Sequence, residues 1–347
     1  MSRRLRVALV AGGRSSEHEI SLASGRSVLE ALDPGRYEVV SVAIGRDGRW
    51  ALEAAPSGPV LVSDTGTRLA ETLPVPAEGA TLAALGAVDV VLPILHGPFG
   101  EDGTVQGLLE LAGIPYVGAG VAASALAMDK DLFKKVMRAS GIPVARHHAI
   151  RLGDPVDNPF GYPVFVKPAR LGSSVGISKV HDEAELGPAV ELARRHDEKV
   201  LVEEFVRGVE VECGVLGNLR PPPVASLPGR IDTLDHEWYD YASKYDEGGM
   251  DLVIPPELPP ATIRLVQQRA VDAFVASDCE GMARVDLFVR EGDDEVIVNE
   301  LNTIPGFTAT SVYSRLFEAS GIAYPELLDR LIELALERAE RRAQLRY

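Results

Sequence analysis

The chain has 347 residues, 46% of them hydrophobic and 25% charged. That is a globular composition, long enough for two or three domains of about 150 residues and for a sizeable core without staples. With 35 Lys and Arg against 51 Asp and Glu, the net charge is −16, which repels phosphate backbones and anionic bilayers and excludes general nucleic-acid or membrane binding.

In chain order, Arg3, Arg4 and Arg6 precede an apolar run from Val7 to Ala11 that Gly12-Gly13 interrupts. The run is too short for a signal peptide, and no stretch approaches about 18 apolar residues, so no membrane span is expected. A short apolar run feeding a glycine turn and then a helical segment reads as a buried parallel strand. The runs 88–95 and 114–117, each followed by glycine, repeat the pattern and predict an α/β domain over about the first 120 residues. Pro93 is awkward in a central strand, since it donates no ladder hydrogen bond. Ser16 and Glu19 match a capping box that opens the first helix, which leaves Glu17 beside the glycine turn unexplained. His96, just past a buried strand, sits where α/β sheets place ligand groups, although a lone histidine there is more often structural.

Gly118-Ala119-Gly120-Val121-Ala122-Ala123 fits a GxGxxA dinucleotide fingerprint. No strand ending in an acidic ribose ligand follows, so the segment reads better as a domain-crossing turn. Residues 129–140 predict a helix with Leu132, Phe133, Val136 and Met137 on one face, stopped by Gly141 and Pro143. Strands are expected over 163–167, 199–205, 210–216, 283–289 and 295–299, with helices near 260–276 and from Pro325 onward. The arginines at 338, 341, 342 and 346 suit the negative end of that last helix. The polar, aromatic stretch 232–250 lacks periodicity, and a loop of that length in a compact protein is usually functional, often a lid. Cys213 and Cys279 form no CxxC pair, which offers no disulfide framework or thiolate metal site and fits a reducing cytosol.

Two clusters carry possible chemistry. Arg284 and Asp286 share a strand face, as do Glu300 and Asn302 if their strand stays extended. Asp, Glu and Asn together supply only hard oxygen ligands, which suit Mg²⁺ held beside phosphate oxygens; the bland alternative is polar strand ends satisfied by turns. Lys167 closes a strand before Gly172-Ser173-Ser174-Val175-Gly176. Backbone N–H groups of such a loop can cradle phosphates while the lysine neutralises them, or the segment is an ordinary hairpin loop. No Gly-Lys dipeptide occurs anywhere in the chain, so this is not a Walker A loop.

Taken together, AGGRSSEHEIS (11–21), LHGPFGEDGTVQG (95–107), MDKDLFK (128–134), VFVKPARLGSSVGISKV (164–180), YDYASKY (239–245), GMARVDLF (281–288) and NELNTIPGFTATSVY (299–313) resemble D-alanine–D-alanine ligases of the ATP-grasp superfamily. Seven motifs in order cover nearly the whole chain except 51–87. The resemblance implies an α/β (α+β ATP-grasp) fold. A Rossmann-like parallel-sheet domain over 1–122 would be followed by ATP-grasp subdomains over 123–201 and 202–347, with the lid at 232–250.

The implied activity is ATP-dependent joining of two D-alanines through an acyl phosphate, for peptidoglycan precursors, in a cytoplasmic homodimer. By motif, Asp286, Glu300 and Asn302 resemble the ligands of two Mg²⁺ (or Mn²⁺) ions, and Lys130, Lys167 and Lys244 the phosphate-contacting lysines. Ser173 and Ser174 belong to the phosphate loop, and Glu203 and Glu210 to the adenine and ribose site, with Glu210 on the ribose. Arg284 and the Gly306 N–H resemble the oxyanion-stabilising pair. Glu17 resembles the holder of the first D-alanine ammonium, with His96 nearby and Ser173 and Tyr245 bonded around it. Ser311 resembles the residue binding the second carboxylate. The lid looks like the dipeptide-forming kind. The alternatives are an ATP-grasp carboxylate–amine ligase with a different D-amino acid or D-hydroxy acid acceptor, a non-catalytic nucleotide binder, and an NAD-dependent dehydrogenase resting on 118–123 alone. The full set of Asp286, Glu300, Asn302 and Arg284 argues against a mere binder.

Overall fold

The computed structural model describes residues 3–52, 88–233 and 250–346. The lid expected over 232–250, with Lys244 and Tyr245, lies outside the described residues except for positions 232, 233 and 250. Within them, β1 (Leu5–Gly12), β2 (Tyr37–Ile44), β3 (Trp50–Leu52) and β4 (Val90–Ile94) form a sheet of order β3-β2-β1-β4. β1 runs parallel to both neighbours and β3 is antiparallel. The apolar run in β1 is continuous because both faces are covered. Val7 and Leu9 join one core with Val28 of α1 (His18–Ala31), and Ala8 and Val10 join another with Leu109 of α2 (Thr104–Leu111).

Three local expectations change here. Residues 114–117 add a single bridge, Val91 to Tyr116, rather than a strand. Val91 donates to the Pro115 carbonyl and accepts from Val117; Pro93, two residues on and facing the same way, has no N–H with which to continue the ladder. At α1, Glu17 rather than Ser16 occupies the cap position and makes no side-chain cap bond. Ser15 Oγ accepts from the Glu17 N–H at 3.2 Å and donates to the His96 carbonyl at 2.7 Å. Glu19 turns outward to Arg46 at 3.0 Å, so no capping box forms and Glu17 is buried.

The turn at 118–120 leads through Gly120 into α3 (Val121–Met128), and Asp129 then caps α4 (Lys130–Ala139) by accepting from Leu132 N–H. The buried stripe of α4 is Lys130, Phe133, Lys134 and Met137, whereas Leu132 is 46% exposed. The sequence placed the apolar residues inward, but carboxylates facing this helix draw two of its lysines in. Beyond it, β5 (His147–Ile150), β6 (Val164–Pro168), β7 (Ser178–Val180) and β8 (Val200–Glu204) form an antiparallel sheet of order β5-β8-β6-β7. α5 (Glu183–Arg194) covers one face, and alternation turns Phe165, Lys167 and Glu203 to the other.

The largest sheet has the order β12-β11-β9-β13-β14, with β10 beside β9. Its strands are β9 (Gly208–Gly217), β10 (Val224–Ala225), β11 (Gly229–Thr233), β12 (Met250–Val253), β13 (Gly281–Arg290) and β14 (Val296–Asn302). Val211, Cys213, Val215, Ala283, Val285 and Leu287 pack on α6 (Pro260–Ala276), so alternation leaves Glu212, Arg284 and Asp286 on the opposite face. On β14, Val296 and Val298 point inward, and unbroken alternation would bury Glu300 and Asn302 as well. A register shift after Asp286, which pairs with Glu300 while Leu287 pairs with Val298, resets the phase. Leu301 goes inward instead, and Glu300 and Asn302 emerge beside Asp286.

α7 (Val312–Ala319) and α8 (Tyr324–Ala343) close the chain. Leu327, Leu328, Leu331 and Ile332 of α8 share a core with Val7, Leu9, Leu92 and Ile94, so the last helix packs under the first sheet. Arg338, 4% exposed, donates to the carbonyls of Gly118 at 2.5 Å and Tyr116 at 2.6 Å and lies 4.5 Å from the Tyr116 ring centroid. Arg342 pairs with Glu110 at 2.6 Å, and Arg341 pairs with Glu280. Arg338 is thus a buried tertiary pin, whereas Arg341 and Arg342 make exposed ion pairs. Gly281 abuts the same turn: its φ is +81°, and a Cβ there would lie 3.1 Å from the Gly118 backbone. Arg338→Met is expected to cost about 2–3 kcal/mol in urea unfolding, through two charge-assisted bonds and a cation–π contact. A loss below about 0.5 kcal/mol would contradict that role. Cys213 and Cys279 are buried free thiols, and no helix among the described residues is long and apolar enough to cross a membrane.

Candidate active site

Two clefts meet at Glu300, one between α1 and the polar face of the third sheet and the other between the second and third sheets. The first, about 380 Å³, is lined by Glu17, His96, Ser173, Arg284, Glu300, Asn302, Gly306 and Ser311. The second, about 450 Å³, is lined by Lys130, Lys167, Ser174, Glu203, Glu210 and Glu300, with Phe165 and Phe288 among its apolar walls. Every site residue expected from the sequence therefore borders one cleft or the other, except Asp286, which lies beneath Arg284 and Asn302, and Lys244 and Tyr245, which fall outside the described residues. Glu300 alone of the expected residues borders both.

Around Glu300 the groups alternate in charge. Arg284 grips Asp286 with Nε to Oδ1 and Nη2 to Oδ2, each at 2.7 Å. Asn302 Nδ2 donates to Asp286 Oδ2 at 3.0 Å, and Lys130 Nζ lies 3.1 Å from Glu300 Oε2. Burial would discharge Lys130, but Glu300, aided by Glu101 and Glu203, outweighs it and holds its pKa above the usual lysine value.

In the second cleft, Lys167 Nζ donates to Glu203 Oε1 at 2.7 Å, and Lys134 Nζ lies 2.9 Å from Oε2. Burial alone would raise the Glu203 pKa; the two lysines overcome it and bring it down to about 2. The opposite holds at Lys134, where burial dominates and lowers the pKa.

Ser173 and Ser174 adopt left-handed backbone, with φ of +51° and +56°. Consecutive non-glycine residues there store strain of a kind concentrated at functional sites. The result is that one hydroxyl borders each cleft, and Ser173 Oγ donates a short hydrogen bond to Glu17 Oε1. Gly97 keeps the far side of Glu17 open, since at φ +73° a Cβ would come within 2.5 Å of Oε2. His96 is buried, which lowers its pKa. The neutral ring meets the Ile304 carbonyl at 2.9 Å through Nδ1, a contact that requires the Nδ1–H tautomer and leaves Nε2 as the acceptor. Ser311 stands at the cap of α7, where helix N–H groups favour an anion, with its hydroxyl accepting from Thr308 N–H at 3.0 Å.

Family models described as the D-ala D-ala ligase N-terminus and C-terminus match residues 6–119 and 136–333. The chain belongs to the D-alanine–D-alanine ligase family. The ligase is 45% identical over 370 residues to the D-alanine–D-alanine ligase of Streptomyces avermitilis, covering 97% of this chain and 95% of that one. Among solved structures, the D-alanine–D-alanine ligase from Coxiella burnetii aligns with a TM-score of 0.86 at 38% identity, covering 99% of this chain and 97% of that one. The VanG D-Ala:D-Ser ligase from Enterococcus faecalis aligns with a TM-score of 0.82 at 34% identity, covering 96% and 100% respectively.

Two carboxylates of the ligase escaped the reading of its sequence. Glu101 accepts from the Gly97 N–H at 2.8 Å and the Ile304 N–H at 3.2 Å, tying α2's approach loop to residues 303–306. Burial, together with the neighbouring Glu17, pushes its pKa up to about 8. Glu212 is fully buried, with Oε2 2.9 Å from Arg284 Nε. The period-two alternation of Glu210, Glu212 and Gly214 with Val211, Cys213 and Val215 could have marked Glu212 as a site-facing residue.

Proposed function

We propose that the ligase joins two D-alanines into D-alanyl-D-alanine at the expense of ATP, with the nucleotide in the cleft between the second and third sheets and both amino acids in the cleft beside α1. The observation that carries this reading is Glu300, which borders both clefts and so marks the place where a γ-phosphate would meet a substrate carboxylate. A carboxylate is a poor acyl donor. Its attack on the γ-phosphorus releases ADP and gives an acyl phosphate; the amine of the second D-alanine then attacks that carbonyl, loses a proton and expels phosphate. Little covalent work falls to the protein, so positioning and charge stabilisation dominate.

Each residue has a role in that scheme. Glu17, fixed by Ser173 and completed by Tyr245, holds the first ammonium, with His96 beside it. Arg284 and the Gly306 N–H receive charge developing on the carbonyl oxygen. Ser311 and the positive end of α7 hold the second carboxylate. Lys130, Lys167 and Lys244 neutralise the phosphates under the loop carrying Ser173 and Ser174. Glu203 reads the adenine, and Glu210 accepts from the ribose hydroxyls. Asp286, Glu300 and Asn302 fit Mg²⁺ or Mn²⁺: all can present oxygen, and two carboxylates with one amide leave room for phosphate oxygens to complete the shell. When bound, two such ions would neutralise the β- and γ-phosphates and polarise the transferring group. The division into 1–122, 123–201 and 202–347, a cytoplasmic homodimer and a place in peptidoglycan precursor synthesis belong to the same reading.

The test is phosphate release by the purified ligase, with product identified by mass. Release is expected to require both Mg²⁺ and D-alanine and to match dipeptide one for one, with D-serine and D-lactate poor as second substrates. ATP turnover indifferent to D-alanine would defeat the proposal.

A further inference from the structure

Glu212, Asp286 and Glu300 stand opposite one another across β9, β13 and β14. One guanidinium serves the first two. Arg284 Nε carries a single hydrogen, bonded to Asp286 Oδ1 at 2.7 Å, and the same nitrogen lies 2.9 Å from Glu212 Oε2. The side chains of Glu212 and Asp286 are 1% and 4% exposed and that of Arg284 is 15% exposed, so water is a poor substitute for either carboxylate.

This arrangement conflicts with the roles proposed above. While Arg284 holds both oxygens of Asp286, that carboxylate cannot also serve a divalent cation at full strength. A buried guanidinium that gives up a carboxylate loses charge compensation at severe cost, and Glu212, 2.9 Å from Nε, is placed to restore it.

Resting on the proposed metal role of Asp286, we infer that Glu212 is a positioning residue that takes over Arg284 when Asp286 turns to the metal. A small rotation of the guanidinium transfers the Nε hydrogen bond from Asp286 to Glu212. Oδ1 of Asp286 is then free for the cation, while Nη2 keeps its bond to Oδ2 and Arg284 stays in the lining of the substrate cleft. Glu212 touches neither substrate nor metal; it acts through Arg284.

The measurement is Mn²⁺ half-saturation, followed by the electron paramagnetic resonance signal of free Mn²⁺, on the full-length ligase with adenosine 5′-(β,γ-imido)triphosphate. Glu212→Gln is expected to raise the half-saturating concentration about tenfold, the usual scale for partners that orient metal ligands. In an Arg284→Met background Asp286 is already released, and the same substitution is expected to shift it less than about twofold, since coupling vanishes when one partner is absent. No shift in the wild-type background overturns the proposal, as does an equal shift in both, which would mean simple loss of a nearby negative charge. Glu212→Asp draws the carboxylate back by one methylene and is expected to give a smaller rise; no rise overturns the proposal even if Glu212→Gln does not fold. Asp286→Asn separates the two layers. If it weakens Mn²⁺ binding and Glu212→Gln does not, only the positioning role fails; if it also leaves binding unchanged, the metal reading fails and takes this inference with it.

Discussion

Glu300→Gln is expected to lower D-alanine-dependent ATP turnover by about a thousandfold or more while leaving the thermal midpoint close to wild type. The substitution keeps the shape and removes only charge. That charge faces Lys130 at 3.1 Å and lies in register with Asp286, at the junction of the two clefts. One preorganised group aimed at developing charge is worth about a hundredfold to a thousandfold, and a carboxylate shared between two cations would be worth more. Stability should hardly fall, because the change relieves repulsion among Glu212, Asp286 and Glu300 at the same time as it unpairs Lys130. Steady-state phosphate release decides the matter: a variant with more than about a tenth of wild-type turnover would remove Glu300 from the chemistry.

The second large effect concerns stability. Glu203→Gln is expected to cost about 3–5 kcal/mol at pH 7, because it leaves Lys134 and Lys167 buried without their shared counter-ion. The Glu203 pKa is brought down from 4.5 to about 2. The carboxylate is therefore ionised in the folded state through a range where it would be protonated in the unfolded chain, and its stabilisation is fully present above pH 4.5. By linkage that stabilisation amounts to about 3 kcal/mol and is lost as pH falls from 4.5 toward 2. Denaturant unfolding at pH 7, 4.5 and 3.5 should show the wild-type advantage constant between the first two and shrinking at the third. An advantage that does not change with pH would mean that packing, not charge, holds Glu203 in place.

Much of this was legible from sequence because the chemistry sits on strands. Period-two alternation carried Arg284 and Asp286 to one face, and glycines punctuated the helices where the chain turns. What stayed hidden depended on partners distant in the chain. The face of Glu300 and Asn302 is set by a bulge that pairing with β13 creates, which no local pattern encodes. The inward turn of Lys130 and Lys134 follows from Glu300 and Glu203 lying opposite, so a helix that looked amphipathic in the ordinary sense buries its cations. Arg338 resembled a solvated helix end until the Tyr116 and Gly118 carbonyls supplied its acceptors. Ser16 had the right chemistry for a cap, but the helix starts one residue later, with Glu17 at the cap position and no side-chain cap bond.

The packing of α8 against the first sheet bears on how the protein is made. Val7, Leu9, Leu92 and Ile94 are synthesised early, and the leucines that cover them come more than two hundred residues later. Until α8 emerges, α1 alone can cover that apolar face, through Val28, an interval in which exposed apolar surface favours aggregation. The core of the first sheet is thus complete only once the last helix is in place.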